Sequence, residues 1–509
     1  AEIADSGNGG SDEVRFAASS SGTLTLFAGD TGIERVVIGS GLGEVAVSSG
    51  TLALDVDASR VANALSVLGN AGANVLTGTA YADRLDGGAG ADRLIGGGGA
   101  DTLIGGAGND VYVVDSGDAI IEASTLASEI DRVESYVDWI LGANLENLTL
   151  LGTGNLAATG NALNNTLIGN AGANRLDGGQ GADILLGGAG DDRYVVDNLG
   201  DKVYETTTST SAYDAGGIDT VDSSINWTLG NFVENLTLTG SGNLSGIGNA
   251  LANTLRGNAG INVLDGKAGV DVLDGGEGSD IYLVGLASDH AAAEIADSGN
   301  GGSDEVRFAA NTSGTLTLFA GDTGIERVVI GSGLGEVAVS SGTLALDVDA
   351  SRVANALAML GNAGANVLTG TAYADTLDGG AGADRLIGGD GNDRLIGGAG
   401  NDTLTGGAGA DQFVLTQALS STANRDVLAD FVSGTDTIQL SVSVFRALGM
   451  APGNLTADQF WSGNGISVAH DASDRIIYDT ASGSLFYDAD GSGSGAAVAI
   501  AVVGLATHP

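Results

Sequence analysis

Four stretches of the chain place an acidic or amide residue at every ninth position, five residues after a glycine. In residues 87–95, the unit GGAGADRLI carries Asp92 in its sixth position and Leu94 two residues later. Carboxylate and carbonyl oxygens are the ligands that Ca²⁺ prefers, about six to eight per ion. The positions in this phase are Asn74, Asp83, Asp92, Asp101 and Asp110; Asn165, Asn174, Asp183 and Asp192; Asn253, Asn262, Asp271 and Asp280; and Asn366, Asp375, Asp384, Asp393, Asp402 and Asp411. The spacing therefore indicates calcium-binding turns.

A turn and a short strand in each unit are predicted to position these acids. Glycine allows positive φ and close approach of two backbones, so the first six residues of a unit suit a turn. The last three residues suit a strand, with Leu94 pointing inward. Two units then close one coil, and successive leucines fill a narrow core. The fold predicted is all-β: a right-handed parallel β-roll or β-solenoid with stacked Ca²⁺ sites and a C-terminal β-rich cap.

Calcium suits these donors better than other common metals do. Mg²⁺ requires tighter octahedral geometry, and Zn²⁺ prefers His or Cys ligands. The chain has no Cys, and its three histidines, His290, His470 and His508, lie outside the four tracts. We therefore expect several Ca²⁺ ions and no other cofactor.

The same spacing of glycine and aspartate is known from one protein family. A single Gly-Asp pair most often marks a surface turn, but here the acid keeps its phase through four tracts with leucine in register. In these tracts the chain resembles the RTX (repeats-in-toxin) hemolysin-type calcium-binding proteins. The resemblance covers most of the sequence. It implies that carbonyls at the second and fourth positions of a unit and the carboxylate at the sixth position bind one ion.

Carried over to this chain, the resemblance implies calcium ligands in all four tracts. The implied carboxylate ligands are Asp83, Asp92, Asp101, Asp110, Asp183, Asp192, Asp271, Asp280, Asp375, Asp384, Asp393, Asp402 and Asp411. The implied carbonyl ligands are Gly88, Gly90, Gly97, Gly99, Gly106, Gly108, Gly179, Gly181, Gly188, Gly190, Gly276, Gly278, Gly380, Gly382, Gly389, Gly391, Gly398, Gly400, Gly407 and Gly409. Asn replaces the acid in the first units of each tract, and Lys267 replaces the second glycine of one unit. Those units are expected to bind weakly or to continue the coil without metal.

A longer repeat sets the organisation of the chain. Residues 1–110 return as residues 293–402 with eight differences. The predicted segments are a β-solenoid module at 1–110 with its tract at 69–113, a module at 111–197 with its tract at 160–197, a module at 198–284 with its tract at 248–284, a duplicate of the first module at 285–415 with its tract at 361–415, and a C-terminal cap and secretion segment at 416–509. Because residue 1 falls inside a module, we expect the chain to be a piece of a longer array.

The segments outside the tracts are predicted to be β-coils without metal. An aromatic residue follows the last turn of each tract at an equivalent position and is predicted to close the core of that roll. These residues are Tyr112, Tyr194, Tyr282 and Phe413.

The segment after residue 412 resembles the cap that follows the roll in secreted RTX proteins. In that family this end also carries an uncleaved signal for the type I secretion machinery. The chain shows no N-terminal basic-then-apolar signal. We therefore expect an extracellular or cell-surface protein of a Gram-negative bacterium, exported without an N-terminal signal peptide.

Composition excludes several classes of partner. The net charge is -45, from 64 Asp and Glu against 19 Lys and Arg, whereas nucleic-acid binding needs a basic face. Hydrophobic residues make up 43% of the chain, more than a disordered acidic tail would carry. The longest apolar run, residues 496–506, is too short for a transmembrane segment. Bound cations are the simplest way to neutralise such a chain.

Catalytic motifs are absent from the sequence, and we expect no enzyme. Neither H-E-x-x-H, nor G-x-S-x-G, nor G-x-x-x-x-G-K-[ST] occurs. Three functions stay open: a structural or adhesive surface array such as an S-layer, filament or adhesin, self-associating on calcium; the C-terminal secretion and folding half of a larger RTX enzyme or toxin; and a soluble calcium-, ice- or matrix-binding module. Tandem near-identical modules favour the first, because solenoids grow by unit duplication.

Overall fold

The computed structural model is all-β and forms two compact units. It describes residues 10–39, 48–206, 208, 210, 213–292, 294–299, 301–331, 341–420, 422–449 and 453–504. His508, one of the three histidines placed outside the tracts, lies outside the described residues. The first unit comprises Ala1–Ile225 and Leu229–Asn235, and the second comprises Asn226–Thr228 and Leu236–Pro509. The division falls inside the third predicted module, and the five-module organisation stays a prediction.

Short strands that pair in parallel build the first unit. They are β1 (Glu13–Phe16), β2 (Gly22–Thr25), β3 (Arg35–Ile38), β4 (Leu54–Asp57), β5 (Ser66–Leu68), β6 (Val75–Thr77), β7 (Arg84–Ala89), β8 (Arg93–Ile95), β9 (Thr102–Ala107), β10 (Val111–Val114), β11 (Ala119–Ile121), β12 (Arg132–Ser135), β13 (Trp139–Ile140), β14 (Asn147–Leu150), β15 (Ala157–Thr159), β16 (Thr166–Ile168), β17 (Arg175–Asp177), β18 (Ile184–Leu186), β19 (Arg193–Val196), β20 (Lys202–Tyr204) and β21 (Thr220–Ser223). Alternate strands belong to alternate sheets, in the orders β1-β3-β5-β7-β9-β11, β2-β4-β6-β8-β10-β12-β14-β16-β18-β20 and β13-β15-β17-β19-β21. This is the pairing of a β-solenoid.

The register of the strands confirms the predicted coil. Leu76 of β6 pairs with Leu94 of β8, and Leu85 of β7 pairs with Leu103 of β9. Partners are therefore two nine-residue units apart, so two units make one coil. All four leucines are buried. Because side chains alternate across a strand, the aliphatic residue two places after each acid enters the core.

The aromatic residues after the tracts do not close the core, and that prediction was wrong. Tyr112 pairs with Leu94 in the coil before it and with Val133 in the coil after it. The coil continues because residues 132–135 and 147–150 supply further strands outside the nine-residue phase. Within the first unit, the segment between the two tracts is therefore more solenoid, as predicted.

The second unit has the same architecture. Its strands are β22 (Trp227–Thr228), β23 (Asn235–Leu238), whose first residue belongs to the first unit, β24 (Ser245–Ile247), β25 (Thr254–Arg256), β26 (Val263–Asp265), β27 (Val272–Asp274), β28 (Ile281–Val284), β29 (Glu305–Phe308), β30 (Gly314–Thr317), β31 (Arg327–Ile330), β32 (Leu346–Asp349), β33 (Ala358–Leu360), β34 (Val367–Thr369), β35 (Thr376–Asp378), β36 (Arg385–Asp390), β37 (Arg394–Ile396), β38 (Thr403–Ala408), β39 (Gln412–Leu415), β40 (Asp426–Leu428), β41 (Thr437–Leu440), β42 (Phe460–Gly463), β43 (Ile476–Asp479), β44 (Ser484–Tyr487) and β45 (Val498–Val503). They form the sheets β22-β24-β26-β28-β29-β31-β33-β35-β37-β39-β41, β30-β32-β34-β36-β38-β40-β45-β44-β43-β42 and β23-β25-β27.

The C-terminal segment is β-rich, as predicted for a cap. β40 pairs in parallel with β38 of the last tract and with β45. β45 and β43 then flank β44 in antiparallel pairs, so the parallel solenoid pattern ends here. The helix described, Arg446–Leu448, is a single 3₁₀ turn. No helix in the described ranges is long and apolar enough to cross a membrane.

A buried histidine joins two carboxylates in the second unit. The His290 side chain is 1% exposed, with Nε2 2.9 Å from Asp322 Oδ2 and Nδ1 3.0 Å from Glu294 Oε2. Burial lowers the pKa of His290, but the contacts with Asp322 and Glu294 outweigh burial and raise the pKa to about 9 from 6.5. The stabilisation is thus fully present below pH 6.5 and is lost as the pH rises through about 9.

We expect His290→Gln to flatten the alkaline pH dependence of stability. At saturating Ca²⁺, the free energy of unfolding of the wild type should fall by roughly 1–3 kcal/mol between about pH 7 and pH 10. Thermal unfolding followed by circular dichroism across this range measures the effect. His470→Gln, at an exposed histidine, is the matched control. Equal pH slopes in the wild type and His290→Gln would contradict the assignment.

Candidate metal centre

The aspartates at the acid positions lie buried inside the turns, linked from coil to coil. The backbone N–H of Asn74 donates to Asp92 Oδ1 at 2.7 Å, and the N–H of Asp92 donates to Asp110 Oδ1 at 2.7 Å. The same link connects Asp375 to Asp393 and Asp393 to Asp411 in the fourth tract. We call these series the aspartate ladders. Each ladder fixes one oxygen of every carboxylate.

The second oxygen of most ladder carboxylates has no hydrogen-bond donor. Within the described part of the chain, Oδ2 is buried and unpartnered in ten of the thirteen predicted aspartates. These are Asp92, Asp101, Asp110, Asp183, Asp192, Asp271, Asp280, Asp384, Asp393 and Asp402. Their side chains are at most 2% exposed. A buried carboxylate oxygen without a partner is costly, so each needs a cation or a proton.

Backbone carbonyls of one glycine turn lie close to the backbone of the next glycine turn. Gly88 and Gly90 have φ of 98° and 119°. A Cβ on Gly88 would lie 2.6 Å from the carbonyl oxygen of Asn70, and one on Gly90 would lie 2.8 Å from that of Gly72. The carbonyl oxygens of one turn therefore point at the next turn on the same side. All twenty glycines predicted as carbonyl ligands have positive φ.

Burial makes the ladder carboxylates hard to ionise in the protein alone. Burial raises the pKa of Asp393 from 3.8 to about 7; the hydrogen bond from the Asp375 backbone opposes this, and the charges of Asp375 and Asp411 add to it. The pKa values of further ladder aspartates rise with burial as the largest cause. They rise to about 7 at Asp92, Asp101, Asp110, Asp192, Asp280 and Asp384, and to about 6 at Asp183 and Asp271.

Two predicted aspartates differ because threonine stands at the second position of their units. Thr79 donates its backbone N–H to Asp83 Oδ2 at 2.5 Å, and its hydroxyl reaches both oxygens. Thr371 does the same for Asp375. Protein donors thus satisfy both carboxylates, and burial still raises their pKa values. Their assignment as calcium ligands stays a prediction.

The asparagine units satisfy themselves. Asn74 Oδ1 accepts the N–H of Asn70 at 2.9 Å, and its amide donates to the carbonyl of Leu54 at 2.7 Å. Asn366 repeats this with Asn362 and Leu346. The amide N–H₂ of asparagine therefore donates a hydrogen bond to a backbone carbonyl oxygen. The carboxylate of an aspartate has no such donor and would be repelled by the same oxygen. This supplies the physical reason for a coil that continues without metal.

Lys267 keeps the shape of the turn it interrupts. Its φ is 70°, in the region that its glycine counterparts use, and its Nζ pairs with Asp265 Oδ2 at 2.7 Å. The sixth-position acid of that unit is Asp271, whose Oδ2 stays buried without a partner. The substitution thus leaves the carboxylate in place.

The ladders extend to aspartates that the nine-residue phase misses. Asp110 donates its N–H to Asp131 Oδ1, and Asp192 donates to Asp219 Oδ1, both at 2.7 Å. Further members continue the ladders from the tract aspartates. They are Asp118, Asp304, Asp426 and Asp436, together with Asp201, which keeps the nine-residue phase but has no glycine five residues before it. Each stands two residues before an aliphatic residue, as in D-R-V at 131–133, and that local signature could have identified them.

Comparison with known families agrees with this geometry. The family model described as RTX calcium-binding nonapeptide repeat (4 copies) matches residues 68–103, 87–121, 159–194, 247–282, 360–395 and 387–415. Each of the four tracts contains at least one match. No curated protein matches the chain significantly. Unpartnered carboxylate oxygens beside carbonyl-lined turns are the hard donors that Ca²⁺ takes, so the residues present fit this ion.

Proposed function

Because this chain is an RTX-type calcium-binding repeat protein, we propose that it is an extracellular structural or adhesive component of S-layer, filament or adhesin type. The duplicated module carries this proposal. β1 pairs with β3 from Glu13 and Arg35 onward, and β29 pairs with β31 from Glu305 and Arg327 in the same register. One module thus folds alike in both units. A solenoid lengthens by such duplication without any new chemistry.

The chemistry of the side chains supports a role in binding and scaffolding and not in catalysis. The ladder aspartates of the four tracts are distributed from coil to coil, each in its own turn. Calcium, when bound, would supply the positive charge that these ladders lack. We propose that the chain is exported unfolded by type I secretion machinery, because low cytosolic calcium would leave the ladder carboxylates without a counter-ion.

Calcium should also promote self-association. The net charge of -45 keeps copies of the chain apart, and each bound Ca²⁺ removes two negative charges. We expect light scattering and electron microscopy to show ordered polymers at millimolar Ca²⁺ and dispersed chains in EGTA. Equal concentrations of Mg²⁺ are the control, since Mg²⁺ does not match the sites.

A strictly monomeric particle at millimolar Ca²⁺ would refute the array. That outcome would favour the alternative, in which these repeats are the secretion and folding part of a larger RTX enzyme or toxin. Polymers that form equally with Mg²⁺ or in EGTA would show that self-association does not depend on the calcium sites.

A further inference from the structure

Three carboxylates meet at the end of the second tract, in a cluster that the nonapeptide pattern does not contain. Asp192 is the last acid of the tract, Asp219 continues its ladder, and Glu205 comes from the segment between them. Their side chains are 1%, 0% and 1% exposed. One carboxylate oxygen from each lies within 4.8 Å of the others. We call this cluster the Glu205 trio.

Three unpartnered oxygens belong to this trio. Asp192 Oδ1 accepts the N–H of Asn174, Asp219 Oδ1 accepts the N–H of Asp192, and Glu205 Oε1 accepts the hydroxyl of Tyr194. Within the described residues, no donor group reaches Asp192 Oδ2, Glu205 Oε2 or Asp219 Oδ2. The partnered oxygens fix the orientation of each carboxylate, and the remaining ones are buried without compensation.

We propose that the Glu205 trio is a separate site for a hard divalent cation of the Ca²⁺ class, made by side chains alone. Two oxygens that each lie about 2.4 Å from one ion are at most about 4.8 Å apart, and an oxygen from each of the three carboxylates lies within that distance of the others. A transition metal would prefer nitrogen or sulfur ligands. This goes beyond the repeat sites, because two of the three ligands lie outside the repeats and no glycine carbonyl is required.

The surroundings keep space beside these oxygens. A Cβ on Gly187 would collide with both Asp192 Oδ2 and the Tyr194 hydroxyl. Tyr194 is itself fully buried, and its hydroxyl donates a hydrogen bond to Glu205. The cation would therefore fasten the segment around Glu205 to the last calcium-binding coil and to the metal-free coil that begins at Asp219.

A second cluster repeats the same residue types at the end of the first tract. Oxygens of Asp110, Glu122 and Asp131 also lie within 4.8 Å of one another, and the Tyr112 hydroxyl donates to Glu122 Oε2 at 2.6 Å. The connecting segments differ in sequence and length, yet each brings a glutamate to the tyrosine. There Glu122 is half-buried and its other oxygen accepts the N–H of Ser124. The Glu205 trio is thus the more sequestered of the two.

The competing arrangement is a proton shared between Glu205 and Asp219, with no cation. Substitution of the carboxylates by isosteric amides distinguishes a bound cation from a shared proton. Glu205→Gln and Asp219→Asn keep the side-chain shape and a hydrogen bond between these residues, so a proton-sharing pair would tolerate either. A cation site would not, because each amide removes a ligand charge.

Calcium bound per full-length chain is the measurement, by atomic emission after equilibrium dialysis at fixed free Ca²⁺. We expect Glu205→Gln and Asp219→Asn each to lose about one ion, and the double variant to lose that same single ion. Glu134→Gln, at a glutamate paired with Arg93 and Arg132, should lose none. Unchanged ion counts in both single variants would overturn the site.

Infrared spectroscopy of the wild type tests the proposal even where the variants do not fold. A shared proton gives the C=O stretch of a neutral carboxyl group at neutral pH, and saturating Ca²⁺ should remove it. A neutral carboxyl band that persists in the wild type at saturating Ca²⁺ would overturn the site. Failure of the Glu205 trio can be distinguished from failure of the proposed function by the ion count of the wild type. A chain that binds no Ca²⁺ at all would refute the proposed function itself.

Discussion

Removing calcium with EGTA is expected to abolish most of the β-sheet circular dichroism of this chain, and excess Ca²⁺ is expected to restore it. Eleven buried aspartate oxygens have no donor within the described residues, and the ladders bring further carboxylates of the same sign close to them. Without a cation the folded state must either hold these charges in a dry interior or bind protons. Ion binding then supplies the free energy of folding.

The direction of the pKa shifts shows why the metal-free fold is poor at neutral pH. A carboxylate whose folded pKa lies above its unfolded value stabilises the fold only under acid conditions. For Asp393 the contribution is full below 3.8 and is lost as the pH rises through about 7. At neutral pH the ladders therefore oppose folding until a cation neutralises them.

Two controls make the calcium experiment decisive. Mg²⁺ at the same concentration should not restore the β spectrum, since its octahedral shell is smaller and stricter. NaCl at matched ionic strength should not restore it either, because salt screens exposed charges and leaves buried ones largely unscreened. A β spectrum that is unchanged in metal-free buffer would show that the ladders fold without cations.

The nine-residue phase was sufficient to predict the coil. Because an aliphatic residue follows each acid by two, the strand, its inward side chain and the two-unit pairing all follow from one motif. Leu94 shows this: its strand, its burial and its partner Leu76 were each implied by the unit that contains it. Local geometry alone sets this part of the fold.

The continuation of the ladders could not be read from the phase. Asp131 and Asp219 lie 21 and 27 residues after the acids that they accept from, because loops of different lengths leave the solenoid between strands. A periodic search therefore stops at Asp110 and Asp192 and places an aromatic end there. Beyond the tracts, the sequence keeps only an acid placed two residues before an aliphatic residue. This local pattern is enough to continue the coil.

The role of asparagine needed the structure as well. The sequence showed a weaker ligand at Asn366, but the amide donates to the carbonyl of Leu346 at 2.7 Å. A carboxylate at this position would face that carbonyl with no donor. The choice between Asp and Asn thus decides whether a coil depends on a cation, and exchanging the two residues tests this.

Asp393→Asn should make the fourth tract less dependent on calcium, and Asn366→Asp should make it more dependent. Asp393→Asn replaces an unpartnered oxygen with a donor, so at least one ion per chain should be lost while the β spectrum at saturating Ca²⁺ is kept. Asn366→Asp removes the donor to Leu346 and buries a new charge. It should raise the Ca²⁺ concentration at the folding midpoint, at a cost of roughly 1–3 kcal/mol.

Calcium titration followed by circular dichroism, together with the ion count, measures both changes. Asp390→Asn is the matched control, because it makes the same charge change in the same turn at an exposed side chain. If charge alone governs the calcium requirement, Asp390→Asn and Asp393→Asn will behave alike. If the buried ladder governs it, Asp393→Asn will lose an ion and Asp390→Asn will not. Asn366→Asp will then raise the Ca²⁺ concentration at the folding midpoint, whereas Asp393→Asn will not. Equal midpoints for Asn366→Asp and the wild type would show that the amide at position 366 does not replace a cation.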